Sequence, residues 1–237
     1  MRKNILFIIA TSLLLTSCNE KSKTHVIFID ITLSTTISKA SQNIKVLLNS
    51  LRKMLDNKVL GGDTVVIYPI HAQTLSATAI GRWKMPIAKD MNWKKVREGM
   101  LSDILSKVEK KLFTDSIISI TTRSYTSIFP IFYKLNNESL DENVEVTIIS
   151  DMIQDNSIMS FPGEFMSIDN KVVKKLAIQK YAEMKDEISI NNQNISILIP
   201  GTEAGNQYGD SFNRKVNSFW KTFFREAGAN VFISDQS

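Results

Sequence analysis

Val26-Ile27-Phe28-Ile29-Asp30-Ile31-Thr32-Leu33-Ser34 is the stretch on which the fold of this chain turns. Its first four residues are apolar without alternation, as expected of a central strand buried on both faces, and the run ends in a carboxylate and a polar loop. Beyond the loop, Ile37, Ala40, Ile44, Leu47, Leu48, Leu51 and Leu55 recur at spacings of three and four, which predicts a helix with one apolar stripe. Gly61-Gly62-Asp63 then turns the chain into a second apolar run, Val65 to Tyr68. Strand, helix, turn and strand make a βαβ unit. His25 begins the first strand and His71 ends the second, and Asp63 reads as a turn residue.

The same alternation continues downstream. Trp93, Val96, Met100, Leu101, Ile104, Val108 and Leu112 form a second helical stripe, and Ile128, Ile131, Phe132 and Leu135 a shorter one, with Pro130 early in its helix where a missing amide costs least. Two segments stay open: residues 75–92, which hold a short edge strand or only loop, and residues 114–122, where Ile117 to Ile120 is a strand or the approach to the next helix. Val144 to Ile149 reads as a strand ending in Ser150-Asp151. The chain closes with a helix (Val172 to Ile188), a strand (Ile195 to Ile199), a helix (Phe212 to Ala227) and a strand (Val231 to Ile233). The aromatic stripe of that last helix, Phe212, Phe219, Trp220, Phe223 and Phe224, is core packing, and Gly228 stops it. The expected fold is α/β, a mostly parallel central sheet with helices on both faces. In such sheets the site lies beyond the carboxyl ends of the strands, where the strand order reverses, so the loops after Asp30 and around Asp151 are expected to meet.

At the N-terminus, Arg2 and Lys3 precede an apolar run from Ile5 to Leu15 and the sequence Leu15-Thr16-Ser17-Cys18. The run is shorter than the roughly 20 apolar residues of a membrane span, and its charged start and small-residue end are those of a signal peptide. The one cysteine of the chain stands in a pattern that resembles the lipobox of bacterial lipoproteins. That resemblance implies a signal peptide over residues 1–17, a lipid-modified Cys18 opening a tether over residues 18–24, and one domain over residues 25–235. It also implies a protein tethered to the membrane in the bacterial cell envelope, with Asn19 favouring the outer membrane. A lone cysteine permits no internal disulfide, so the stability of the domain must come from its core.

The chain carries 29 basic and 24 acidic residues, for a net charge of +5. Two of the basic residues, Arg2 and Lys3, lie in the signal segment. Lys94, Lys95 and Arg97, and Lys107, Lys110 and Lys111, read as solvated helix faces, and no cluster is dense enough to indicate nucleic acid as a partner.

In the loop after the first strand, Asp30, Thr32 and Ser34 place a carboxylate and two hydroxyls at alternating positions. Oxygen ligands at that spacing suit magnesium, which keeps several waters and accepts few charged ligands; the spacing alone favours a plain polar loop, because polar residues crowd any loop that follows a strand. In its order of elements the sequence resembles a von Willebrand factor type A domain with a metal-ion-dependent adhesion site. Asp30-x-Thr32-x-Ser34 matches that family's Asp-x-Ser-x-Ser, Thr126 in Arg123-Ser124-Tyr125-Thr126-Ser127 matches its single threonine, and Ser150-Asp151-Met152 matches its Ser-Asp-Gly. Gly62-Asp63-Thr64-Val65 is similar to the opening of its second strand. Thr32 departs from the usual serine and Met152 from the usual glycine, while Thr121, Thr122, Ser124 and Ser127 compete with Thr126 as the middle ligand.

The resemblance implies a single Rossmann-like domain in which Asp30, Thr32, Ser34, Thr126 and Asp151 hold magnesium or manganese and a partner's carboxylate completes the coordination. That is binding with no catalytic residue; Asp155 is then an outer acceptor or simply solvated. Two alternatives remain: a metal-free domain of the same fold, and a magnesium-dependent phosphohydrolase of the haloacid dehalogenase type. Thr32 counts against the latter, because it stands where such enzymes need a second aspartate. A Ser-His-Asp hydrolase lacks its Gly-x-Ser-x-Gly elbow, and neither a Cys/His zinc pattern nor a phosphate-binding glycine loop occurs.

Overall fold

The computed structural model describes residues 22–30, 37–87, 92–122, 126–137, 143–155, 159–188, 190–200 and 208–236. In chain order the elements are β1 (Thr24–Asp30), α1 (Ile37–Lys58), β2 (Thr64–Ile70), β3 (Gly81–Lys84), α2 (Trp93–Thr122), α3 (Pro130–Asn137), β4 (Val144–Ile149), α4 (Phe161–Phe165), α5 (Asn170–Met184), β5 (Asn194–Pro200), α6 (Gly209–Glu226) and β6 (Asn230–Gln236). The apolar run that opened the sequence reading is indeed a central strand. From His25 to Asp30 every residue of β1 is buried, because β1 pairs in parallel with β2 on one side and β4 on the other while helices cover both faces.

One sheet of six strands runs in the order β3-β2-β1-β4-β5-β6, and only β3 is antiparallel. The chain builds outward from β1 to β3, then returns to the centre and builds outward again from β4 to β6. The order therefore reverses between β1 and β4, the doubly wound, Rossmann-like arrangement. Side chains alternate across the sheet: Ile27, Ile29, Val65 and Ile67 pack under α1 and α2, and Val26, Phe28, Val66, Tyr68, Val146 and Ile148 pack under α3 to α6. The second layer is dominated by rings. Trp220 and Phe223 on α6 each lie within 6 Å of Phe129 and Phe132. The stripe of the last helix is thus core, at about 1.5–3 kcal/mol for each fully buried large side chain.

Both open segments are settled over their described residues; residues 88–91 lie outside them. Ile117 to Ile120 belong to the thirty-residue helix α2, and a four-residue edge strand, β3, occupies Gly81–Lys84. Gly81 is required there, since a Cβ at that position would run into the Trp83 ring. Trp83 is the one buried residue of β3, and its indole donates to Asp103 Oδ2 at 3.1 Å. Two sequence expectations need correction. Arg97 is no solvated residue: its side chain is 17% exposed and donates to the Leu55 carbonyl and to Asp56, tying α2 to the end of α1. Lys23 and Thr24, assigned to the tether, are docked on the sheet: the Thr24 amide donates to Asn143, and the Lys23 carbonyl accepts from Thr64. The predicted signal segment, Cys18 and the first tether residues lie outside the described residues, among which no helix is long and apolar enough to cross a membrane.

Candidate metal centre

Asp30 closes β1, and β4 aligns with β1 so that Ile149 stands opposite Ile29. Ser150 and Asp151 therefore emerge beside Asp30, at the carboxyl ends of the two strands between which the sheet order reverses. Parallel pairing alone brings together two carboxylates far apart in sequence. Asp30 and Ser150 are fully buried, and Asp151 is 8% exposed.

A small network fixes this corner. The Ser150 hydroxyl donates to Asp30 Oδ2 at 2.6 Å and accepts from the Met152 amide at 2.9 Å, so one serine orients the first carboxylate and starts the turn after β4. Asp151 Oδ1 accepts from the Ile153 amide at 3.0 Å, an Asx-type turn. Met152 takes φ +59°, in the left-handed region where a side chain costs about 1 kcal/mol or more. That conformation accounts for the glycine usual at this position in the resembled family. Met152 is held in it from outside, because Trp220 of α6 donates its indole N–H to the Met152 carbonyl at 2.8 Å.

Thr126 reaches the same corner through the backbone: the Asp155 amide donates to its carbonyl at 3.1 Å. Gln154 secures the following residues, its Oε1 accepting from the amides of Ile128 (2.7 Å) and Phe129 (3.4 Å). The Thr74 hydroxyl donates to the Ser127 carbonyl, adding the turn after β2. Of the competing hydroxyls, Thr121 and Thr122 lie in the last turn of α2, Ser127 is buried, and Ser124 is outside the described residues. Thr32 and Ser34 are outside them as well. The structure thus brings Asp30 and Asp151 to one edge and ties the Thr126 backbone to Asp155, four residues beyond Asp151.

The electrostatics are unbalanced. Burial, reinforced by the negative charge of Asp30 and opposed only by the Ile153 amide, pushes the Asp151 carboxyl up to about 8. Burial, together with the charges of Asp155 and Asp151, also raises the Tyr208 phenol. Two buried carboxylates held close together require a proton or a cation between them. The donor set fits magnesium, which takes oxygen ligands and seldom more than a few carboxylates. No group of three or more His, Cys, Asp or Glu side chains suited to a metal occurs among the described residues, and a centre of two carboxylates plus hydroxyls is not such a group.

Neither histidine contributes. His71 follows β2, and its Nδ1 accepts from the Gln73 amide within a tight turn; burial lowers its imidazole, with Asp115 opposing and Lys111 adding. His25 is at the other end of β1, where Nε2 meets Asp63 Oδ2 at 3.0 Å. Asp63 is more than a turn residue, since it also accepts from the amides of Lys23 and Leu60, both at 2.8 Å. The supports that sequence reasoning missed are the Ser150 hydroxyl, Gln154 and the Trp220 indole; only Ser150 left a signal, as half of the polar pair after β4.

No family model and no curated protein sequence matches this chain. Among solved structures that resemble it is the human COPII-coat protein Sec24c, at 10% identity and a TM-score of 0.42, over 92% of this chain and 30% of that one. The chain thus spans less than a third of that neighbour's length. The fold assignment rests on strand order and pairing.

Proposed function

We propose that this chain is a lipid-tethered, von Willebrand factor A-like module that binds a protein partner through a magnesium ion held by Asp30, Thr32, Ser34, Thr126 and Asp151. The observation that carries the reading is the pair Asp30 and Asp151, two buried carboxylates at the switch point of the sheet, with Asp151 raised to about 8. A bound magnesium would supply an open position for the partner's carboxylate. The chain's own part is positional: Ser150 aims Asp30, the Met152 turn held by Trp220 aims Asp151, and the Asp155 amide holds the Thr126 loop. No proton transfer or bond cleavage is required, and the reading is of a binder, not an enzyme.

Magnesium or manganese is expected to raise the melting temperature of the purified chain by mass action, and Asp30→Ala or Asp151→Ala to remove the response. A response unchanged by both substitutions overturns the site. One observation favours the metal-free alternative, the Ser150–Asp30 hydrogen bond at 2.6 Å, which gives Asp30 a donor without any ion. A chain whose melting point ignores both metals at pH 8 to 9 would fit that alternative. The lipid tether has its own test. Cys18→Ala is expected to abolish lipid labelling and release the protein from membranes, and a variant still membrane-bound would end the lipoprotein reading.

A further inference from the structure

Between α5 and α6 lies an open cleft of about 550 Å³. Its charged lining is entirely basic: Lys174 from α5 and Arg214, Lys221 and Arg225 from α6. The apolar stripe of α6 is buried beneath, so its opposite stripe forms one wall of the cleft. From Arg214 to Arg225 that wall runs about 16 Å at 1.5 Å per residue. Among the described residues Lys174, Arg214 and Lys221 have no carboxylate partner, while Arg225 pairs only with its neighbour Glu226, at 2.9 Å. Four cations facing one cleft repel one another, an arrangement that an anion relieves.

The remaining lining narrows the class of anion. Asn170, Asn217, Ser218 and Thr222 alternate with the cations, and Thr222 is 4% exposed at the foot of the cleft. Asparagine both donates and accepts. A phosphate polymer offers acceptors alone, whereas a peptide brings backbone N–H and C=O groups for the amides and hydroxyls together with carboxylates for the cations. Arginine's fork suits carboxylates in particular. Among the described residues no aromatic side chain lines the cleft to give the bases of a single-stranded nucleic acid a platform on which to stack.

We propose that this cleft docks an extended acidic segment of a protein partner, independently of the metal centre. The probe is a short fluorescein-labelled peptide of alternating Glu and Gly, followed by anisotropy with the full chain at low salt and with chelator present, so that the metal centre plays no part. Binding is expected to weaken as salt rises, and Arg214→Gln with Lys221→Gln to weaken it at least about tenfold. Both residues are exposed, so an unchanged melting temperature confirms that the double variant folds. Lys107→Gln with Lys110→Gln, an equal loss of charge on α2, is expected to leave binding unchanged. Asn170→Ala with Asn217→Ala is expected to weaken the peptide and spare polyphosphate. An equal loss in the α2 variant would reduce the effect to net charge. Displacement of the peptide by polyphosphate, oligothymidylate or anionic vesicles at lower concentration, with the same dependence on Arg214 and Lys221, would overturn the peptide assignment.

Discussion

A buried carboxylate from a neighbouring strand's loop lies beside each end of β1, and the two are built in opposite ways. At its amino end Asp63 receives three donors from the chain itself: the amides of Lys23 and Leu60 and Nε2 of His25. Burial alone would raise the Asp63 carboxyl, and those donors together bring it below the ordinary range. At the carboxyl end Asp151 receives one amide and faces a second carboxylate, and it is pushed up to about 8. A charge that the fold satisfies by itself is a structural fastening. A charge that the fold buries and leaves in excess is one that something outside the chain can complete, which is why function is assigned to the second end and not the first.

The two ends should respond to pH with opposite signs. For Asp151 the folded-state value lies above the unfolded one, so its contribution to stability is present below about pH 4 and lost as pH rises toward 8. In chelator, Asp151→Asn should therefore match the parent near pH 4 and exceed it near pH 9, by at most about 6 kcal/mol in urea unfolding. Magnesium should close that gap by stabilising the parent alone. A parent and variant with the same pH profile would mean that the two carboxylates do not share a site.

Asp63→Ala is expected to cost about 3 kcal/mol at neutral pH, because it strands three donors at once. Its contribution is present above the unfolded value and lost as pH falls below it through the depressed folded value, so parent and variant should converge in acid. The magnesium response should survive in this variant, and its loss would erase the distinction between the two ends. The smallest effect is expected at Met152→Gly. Relief of the left-handed backbone, worth about 1 kcal/mol, opposes the loss of a buried side chain, worth about 2, for a net loss near 1 kcal/mol with the metal response retained. A gain in stability would show that strain outweighs packing at that turn.

Much of this comparison was legible in the sequence at its second end. Asp30 and Asp151 each end an apolar run, and both runs are strands. The first end was underread: Asp63 follows Gly61-Gly62, so it passed for a turn residue, and nothing in the sequence announced that Lys23, in the supposed tether, would donate to it. Edge strand β3 gave no signal because three of its four residues, Gly81, Arg82 and Lys84, are not buried, and one tryptophan cannot make a pattern. Ile117 to Ile120 failed for the opposite reason. A short, mostly apolar run fits strand and buried helix alike, and only the continuation of α2 decides between them.

The sequence by itself determined the element types, the α/β class and the carboxylates at strand ends, because a period of two or of 3.6 in hydrophobicity is a local property that fixes which face of each element is buried. Tertiary structure alone decided which strands are neighbours. Asp30 meets Ser150 across a separation of 120 residues only because β4 returns to the centre of the sheet beside β1. The same holds for the left-handed turn at Met152, which depends on an indole arriving from α6, and for the basic cleft, which exists only where α5 lies against α6. Periodicity tells a side chain which way to face, and strand order and helix packing tell it what it will find there.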